Sequence, residues 1–291
     1  MKRLVYLNGR LLPESKASIS VFDRGFNYGD GVFETLTAKD GSPLFLKEHL
    51  MRLKSGVKAL GIPQAGIKGL LGDIENGAIG ELIKKNGLKN SSANIKIIVT
   101  RGVDAGGHTP KKGARPTVII TAKPVDENAV TRRRKRGIKA VTISGFMPSF
   151  PGIKSLNFLP NIIGKDRALS SGADEGIFTD GSGRITEGTS ANIFTVIRGV
   201  LITPRLGKTL SEGPLPGVVR GAVIRLAKKE GIKVKEAEIY KNGLYRCDEA
   251  FLTNSVSGVT PLIKIDNKLI HNGKPGPVTR LLQGLVMEEM R

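Results

Sequence analysis

Leu46, Leu50, Leu53, Val57 and Leu60 recur at steps of four, three, four and three, the spacing of one helix face, and Gly61-Ile62-Pro63 marks its end. Residues 66–87 predict a second helix. Two β-branched runs follow, residues 95–100 and 117–121, separated by a glycine-rich loop at 102–113. The chain opens on a hairpin: residues 3–7 and 10–12 flank Asn8-Gly9, a dipeptide suited to the positive backbone angles of a tight turn. Together these elements predict a small α/β domain over residues 1–120.

Beyond it strands dominate, at 138–143, 175–179, 184–187, 192–197, 199–203, 233–239, 249–253 and 259–264, with helices at 157–171, 217–230 and 276–290. Asp180-Gly181-Ser182-Gly183 sits between two of the strands as a hairpin turn. The pattern predicts a larger domain over 137–291, a mixed sheet or barrel with helices packed beside it. Residues 121–136 read as a linker between the two domains, giving a two-domain α/β (α+β) fold.

Bulk composition narrows the function classes. The formal charge of +20 could attract nucleic acid, an anionic membrane or anionic small molecules. Its densest cluster, Arg132 to Arg136, has no interleaved aromatic residues to stack bases, so a basic nucleic-acid-binding protein is the weaker reading and a solvated linker the plainer one. The single cysteine, Cys247, permits no internal disulfide, and no Cys/His cluster has the spacing of a metal site. No apolar run approaches the roughly 20 residues that span a bilayer, and the N-terminus lacks a signal-peptide core. A protein of the cytoplasm, with no membrane, nucleic-acid or metal partner, is expected.

Lysines are abundant, but Lys154 stands apart in the apolar stretch Phe150-Pro151-Gly152-Ile153-Lys154-Ser155-Leu156-Asn157-Phe158-Leu159. Burying an amine there is costly without a task, and desolvation would favour the neutral amine that Schiff-base chemistry needs. Spacing alone still leaves a surface lysine between a strand and a helix as the simpler reading. Pro214-Leu215-Pro216-Gly217 precedes a helix start at Val218, where unpaired N–H groups could receive a phosphate.

Four ordered motifs change that balance: FDRGFNYGDGVFET at 22–35, FLKEHLMRL at 45–53, IKSLNFLPN at 153–161 and TEGTSANIF at 186–194. In them the chain resembles the fold-type IV enzymes of pyridoxal 5′-phosphate (PLP), the class IV aminotransferase family, which includes D-amino-acid and branched-chain aminotransferases and aminodeoxychorismate lyase. The resemblance implies that Lys154 carries the cofactor as a Schiff base and shuttles the substrate proton. It implies that Glu187 pairs with the pyridine nitrogen, and that Arg52, the backbone of Val218 and Val219, and Ser255 hold the phosphate. Tyr28, Phe33 and His108 match substrate-side positions, with an amino acid and a 2-oxo acid as substrates and a homodimer as the assembly. Phe158 stands where branched-chain enzymes carry a cofactor-binding tyrosine, and Val219 where many relatives have threonine. His49 and His271 have no paired ligand in sequence and read as structural.

Substrate choice is where the resemblance divides. D-amino-acid aminotransferases place an arginine and a histidine two apart in the loop that here reads Arg101-Gly102-Val103-Asp104-Ala105-Gly106-Gly107-His108; the histidine is present, but Gly106 holds the arginine position. Transamination by a D-amino-acid or branched-chain type of enzyme is the leading expectation, and release of 4-aminobenzoate and pyruvate by an aminodeoxychorismate lyase is the alternative.

Overall fold

Asn8 and Gly9 take φ of 48° and 86° and close a two-residue turn between β1 (Leu4–Leu7) and β2 (Arg10–Pro13), as an Asn-Gly pair favours. The structure is a computed structural model and describes residues 3–104, 106–111 and 113–290. Over them the chain divides into two units, one within residues 1–125 and 153–157, the other within 126–152 and 158–291.

The first unit continues with α1 (Arg24–Tyr28), β3 (Gly31–Lys39), β4 (Ser42–Pro43), α2 (Leu46–Ala59), α3 (Lys68–Glu75), α4 (Ala78–Lys85), β5 (Ala93–Thr100) and β6 (Thr117–Pro124). Among the described residues its six strands form one antiparallel sheet in the order β2-β1-β6-β5-β3-β4. Alternate residues of the central strands, including Val32, Leu36, Ile95, Ile97, Val118 and Ile120, share one buried face with Leu50, Leu53 and Val57 of α2 and with Ile74, Leu82 and Ile83 of α3 and α4. The predicted helix at 66–87 is two helices, because Gly77 sits at φ 106°, outside the helical region, and breaks it.

Gly102 follows β5 at φ 93°, and a Cβ there would land on the Arg115 carbonyl. Gly102→Ala should therefore cost about 2–4 kcal/mol through backbone strain and forced separation of the two loop ends. Urea unfolding of the purified variant measures it; a midpoint equal to the parent's contradicts the prediction.

The second unit comprises α5 (Glu127–Arg136), β7 (Ile138–Ile143), α6 (Leu159–Ser170), β8 (Glu175–Thr179), β9 (Arg184–Gly188), β10 (Asn192–Ile197), β11 (Val200–Pro204), α7 (Val218–Lys229), β12 (Val234–Ala237), β13 (Ile239–Tyr240), α8 (Lys241–Leu244), β14 (Glu249–Asn254), β15 (Gly258–Ile265), β16 (Lys268–Leu269) and α9 (Pro277–Glu289). Its mixed sheet runs β12-β11-β10-β14-β15-β7-β8-β9-β13, with β16 paired to β15 and parallel pairs at β11/β12, β15/β7 and β7/β8. The sheet curls until β9 lies against β10, to which it is also joined through the tight 189–191 turn, giving the barrel-like form. The lone cysteine, Cys247, is buried in this unit's core, where desolvation pushes its thiol up to about 12.

The stretch expected to be a linker is ordered secondary structure. Residues 121–124 complete β6, and Asp126 opens α5 by accepting a hydrogen bond from the Ala129 N–H at 2.9 Å. The basic cluster is the last turn of α5, where cations oppose the negative helix end, and Arg134 reaches the Ser257 carbonyl at 2.8 Å.

Candidate active site

Lys154 is delivered to the first unit rather than the second, a correction to its expected place in the larger domain. The N-terminal half of β3 leaves one edge open, and residues 153–157 pair onto it: Phe33 N–H donates to the Lys154 carbonyl at 2.9 Å and Leu156 N–H to the Gly31 carbonyl at 3.0 Å. Ile153 is buried beside Val32 and Gly56 in the first unit's core, and Asn157 donates to the Gly29 carbonyl at 3.3 Å. The apolar neighbour and the backbone pairing, both non-local, fix the segment.

The Lys154 ammonium lies over the Phe33 ring, 4.5 Å from its centroid, and Lys96 of β5 lies 4.7 Å from the same ring. Phe33, expected on the substrate side, thus forms the floor beneath the lysine. Its neighbour Glu34 points to the buried face and is inaccessible to solvent. There it accepts hydrogen bonds from Arg52 Nε and Nη2, both at 2.7 Å, and meets His49 Nδ1 at 2.7 Å. His49 reads as structural in sequence, and its place in the fold is this buried contact with Glu34. The signal was a carboxylate placed between Val32 and Leu36 on a core-facing register.

Tyr28 and His108 meet edge to face with ring centroids 5.8 Å apart. Arg24 joins them: its guanidinium covers the Tyr28 ring at 4.8 Å and donates to the Gly107 and His108 carbonyls at 2.8 and 3.0 Å. Asp30 holds Arg24 and Arg101 at 2.9 and 2.7 Å, and Arg101 also donates to the Leu60 and Gly61 carbonyls. Arg101 is thereby committed to the scaffold. Ala105 of this loop lies outside the described residues.

Burial alone would raise the Asp30 and Glu34 carboxyls, but hydrogen bonds and charge from Arg101 and Arg24, and from Arg52 and His49, outweigh it and hold both below the ordinary carboxylate range. Depressed folded pKa values mean stabilisation that is complete above about pH 4, the unfolded carboxylate value, and lost as pH falls through the lower folded values. Acid titration followed by circular dichroism should show this loss, and Asp30→Asn should flatten its acid limb. An unchanged limb in that variant contradicts the assignment.

The second unit gathers the remaining candidates at one end of its sheet. Glu187, near the end of β9, is buried and accepts a hydrogen bond from Leu215 N–H at 3.0 Å. Asn192, opening β10, donates to the Leu215 carbonyl at 2.8 Å. Leu215 is thus gripped at both backbone atoms, which sets Gly217 as the first residue before α7. A Cβ at Gly217 would land on the Asn192 side-chain oxygen, so only glycine brings the chain this close. No described side chain caps α7, whose first residues are Val218 and Val219. Ser255 occupies the turn after β14, two residues past Thr253, which pairs with Asn192. Asn254 shapes that turn by accepting from the Val256 and Ser257 N–H groups at 3.1 and 2.7 Å.

Uncapped N–H groups at a helix start and the Ser255 hydroxyl can donate to a dianionic phosphate, and the buried Glu187 carboxylate can accept from a cationic ring nitrogen. The arrangement fits PLP without the hydroxyls missing at Phe158 and Val219. Asn192 and the Leu215 backbone escaped the sequence reading, because their part depends on contacts 23 and 28 residues apart.

Residues 31–265 match the family model described as amino-transferase class IV. A protein of Methanocaldococcus jannaschii assigned provisionally to the branched-chain-amino-acid aminotransferases is 38% identical over 96% of this chain and 93% of its own. D-alanine aminotransferase of Bacillus licheniformis is 30% identical over 96% and 94%. The crystal structure of the Escherichia coli branched-chain amino acid aminotransferase superposes with a TM-score of 0.80 at 30% identity, over 97% of this chain and 92% of that one. Another branched-chain enzyme among the similar structures was solved with pyridoxamine 5′-phosphate. With a lysine seated on a sheet edge, a carboxylate beside an open helix start, and this likeness along nearly its whole length, the chain belongs to the class IV aminotransferase family.

Proposed function

We propose that the protein is a PLP-dependent aminotransferase of the branched-chain type, moving an amino group between an apolar L-amino acid and a 2-oxo acid. The observation that carries the cofactor reading is Lys154 fixed over Phe33 by backbone pairing to β3. Bound PLP supplies an electron-withdrawing ring and the carbon that accepts the amino group. Lys154 would hold the bound cofactor and would carry the proton taken from substrate Cα. Glu187 would keep the ring nitrogen protonated by accepting its hydrogen bond. Arg52, the N–H groups of Val218 and Val219, and the Ser255 hydroxyl receive the phosphate. Tyr28 and His108 border the substrate.

The branched-chain preference rests on the 102–108 loop. Gly106 offers no guanidinium, and Arg101 is spent on Asp30 and two carbonyls, so the loop keeps His108 but lacks the arginine of a D-alanine enzyme's carboxylate trap. Mixing PLP-loaded protein with single amino acids tests this: L-leucine, L-isoleucine or L-valine should convert the cofactor to its amine form faster than D-alanine. Faster conversion by D-alanine overturns the preference. A second reading draws on the Bacillus subtilis aminodeoxychorismate lyase, 29% identical over 99% of this chain; pyruvate released from aminodeoxychorismate without a 2-oxo acid would select it.

Two further parts of the reading concern the cell. Phe22 and Phe26, 56% and 68% exposed, and Val103 make an apolar surface around α1 that suits a second copy of the chain, consistent with a homodimer. Light scattering at micromolar concentration tests it, a monomer mass opposing it. A buried, unpaired Cys247 and the lack, among described residues, of any helix able to cross a membrane suit work in the cytoplasm.

A further inference from the structure

Arg52 and His49 lie three residues apart on α2, on the face turned toward β3, and both meet one carboxylate, Glu34. The Arg52 pair is side-on: Nε donates to Oε1 and Nη2 to Oε2, each at 2.7 Å. Two parallel hydrogen bonds fix the plane of a guanidinium and the direction of its remaining N–H groups. Glu34 and His49 are fully buried, whereas the Arg52 side chain keeps 13% of its surface exposed. The clamp is thus enclosed and the arginine reaches outward from it. An ionised carboxylate only accepts hydrogen bonds, so His49 carries its proton on Nδ1 and donates to Oε2. That third bond fixes the carboxylate against rotation.

We infer that Glu34, braced by His49, is a positioning residue that aims Arg52 at the cofactor phosphate, and that this chain's hold on PLP depends on it although neither residue is needed to touch the cofactor. The inference rests on the reading of Arg52 as a phosphate ligand. The same strand then serves both ends of the first unit's contribution: Phe33 floors Lys154, and the next residue sets Arg52. A one-residue shift of β3 would exchange the two faces and lose both functions together.

The experiment compares PLP binding by apo-protein from the parent, Glu34→Gln, Arg52→Gln and the double variant, using equilibrium dialysis and the 31P resonance of the bound phosphate. Gln has nearly the shape of Glu but presents an NH2 where one guanidinium donor must be accepted. Glu34→Gln should weaken PLP by about 10–100-fold, the loss found when a group behind a ligand-holding side chain is removed, and should shift the 31P resonance. The double variant should bind no worse than Arg52→Gln alone, because an arginine that is absent needs no aiming. Borohydride trapping on Lys154 at saturating PLP should persist in all four proteins.

A Glu34→Gln protein with lowered melting temperature but parental PLP affinity and 31P shift would reduce Glu34 to structural glue and overturn the inference. Parental affinity in Arg52→Gln would instead overturn the reading of Arg52. If Glu34→Gln does not accumulate as folded protein, Glu34→Asp supplies the same test: it keeps the charge but withdraws it by one methylene, and affinity unchanged from the parent refutes the positioning role.

Discussion

Lys154→Ala should lower transamination by about 10⁴-fold or more, the scale expected when a group that both anchors the cofactor and moves the proton is lost. Its fold should survive. The 153–157 segment is held by Ile153 in the core and by backbone bonds to Gly31 and Phe33, none of which needs the ammonium. The contact of the Lys154 side chain with the Phe33 ring is worth about 0.5–1 kcal/mol, as such pairs are. The variant should therefore melt close to the parent, bind PLP reversibly through the phosphate contacts, and yield no cofactor-labelled peptide after borohydride. Near-parental turnover in this variant would remove Lys154 from the chemistry and with it the whole assignment. A melting temperature far below the parent's would show that the lysine was placed for stability.

The parts of this structure legible in sequence are those set by local rules. Asn8-Gly9 marks its hairpin because both residues tolerate positive φ, and α2 announces itself through apolar residues spaced for one face. Where tertiary contacts decide, local rules fail. α5 has only Ala129 and Val130 to suggest a buried stripe, so its polarity imitates a linker, while a cap at Asp126 and a basic last turn define the helix. The split of residues 66–87 was signalled by Asn76-Gly77 but masked by the apolar residues on both sides. Membership of Lys154 in the first unit could not be seen at all, since the chain has already entered the second unit when it returns to β3.

The candidate site divides in the same way. Lys154, Glu187 and Arg52 stood out through motifs, but what holds each of them is distant in sequence: β3 for the lysine, Glu34 for the arginine, and Leu215 for Glu187. Arg24 shows how motif and structure combine. It lies in the FDRGFNYGDG stretch without an assigned role, and the structure shows it tying Asp30, Tyr28 and the His108 backbone into one unit. The Gly107-His108 segment is thus held by an arginine more than eighty residues before the carbonyls it binds.

Glu187→Gln should reduce turnover by about 10²–10³-fold, comparable to removing one group that stabilises charge developing in a transition state. The amide oxygen of Gln can still accept the hydrogen bond from Leu215 N–H, so the 214–217 segment and the start of α7 should keep their places. The negative charge is lost, and one acceptor oxygen becomes an NH2 donor. A carboxylate facing the ring nitrogen favours its protonated form, and a neutral amide does not, so the ring withdraws electrons less strongly when the substrate Cα loses its proton. The deficit should therefore appear in the rate of the amino-acid half-reaction, with PLP affinity changed far less than in Arg52→Gln. Glu187→Asp, which retains the charge, should recover part of the rate. Equal losses in the Asp and Gln variants would indicate that Glu187 acts by shaping the Leu215 backbone, and undiminished turnover in Glu187→Gln would place the ring-nitrogen partner elsewhere.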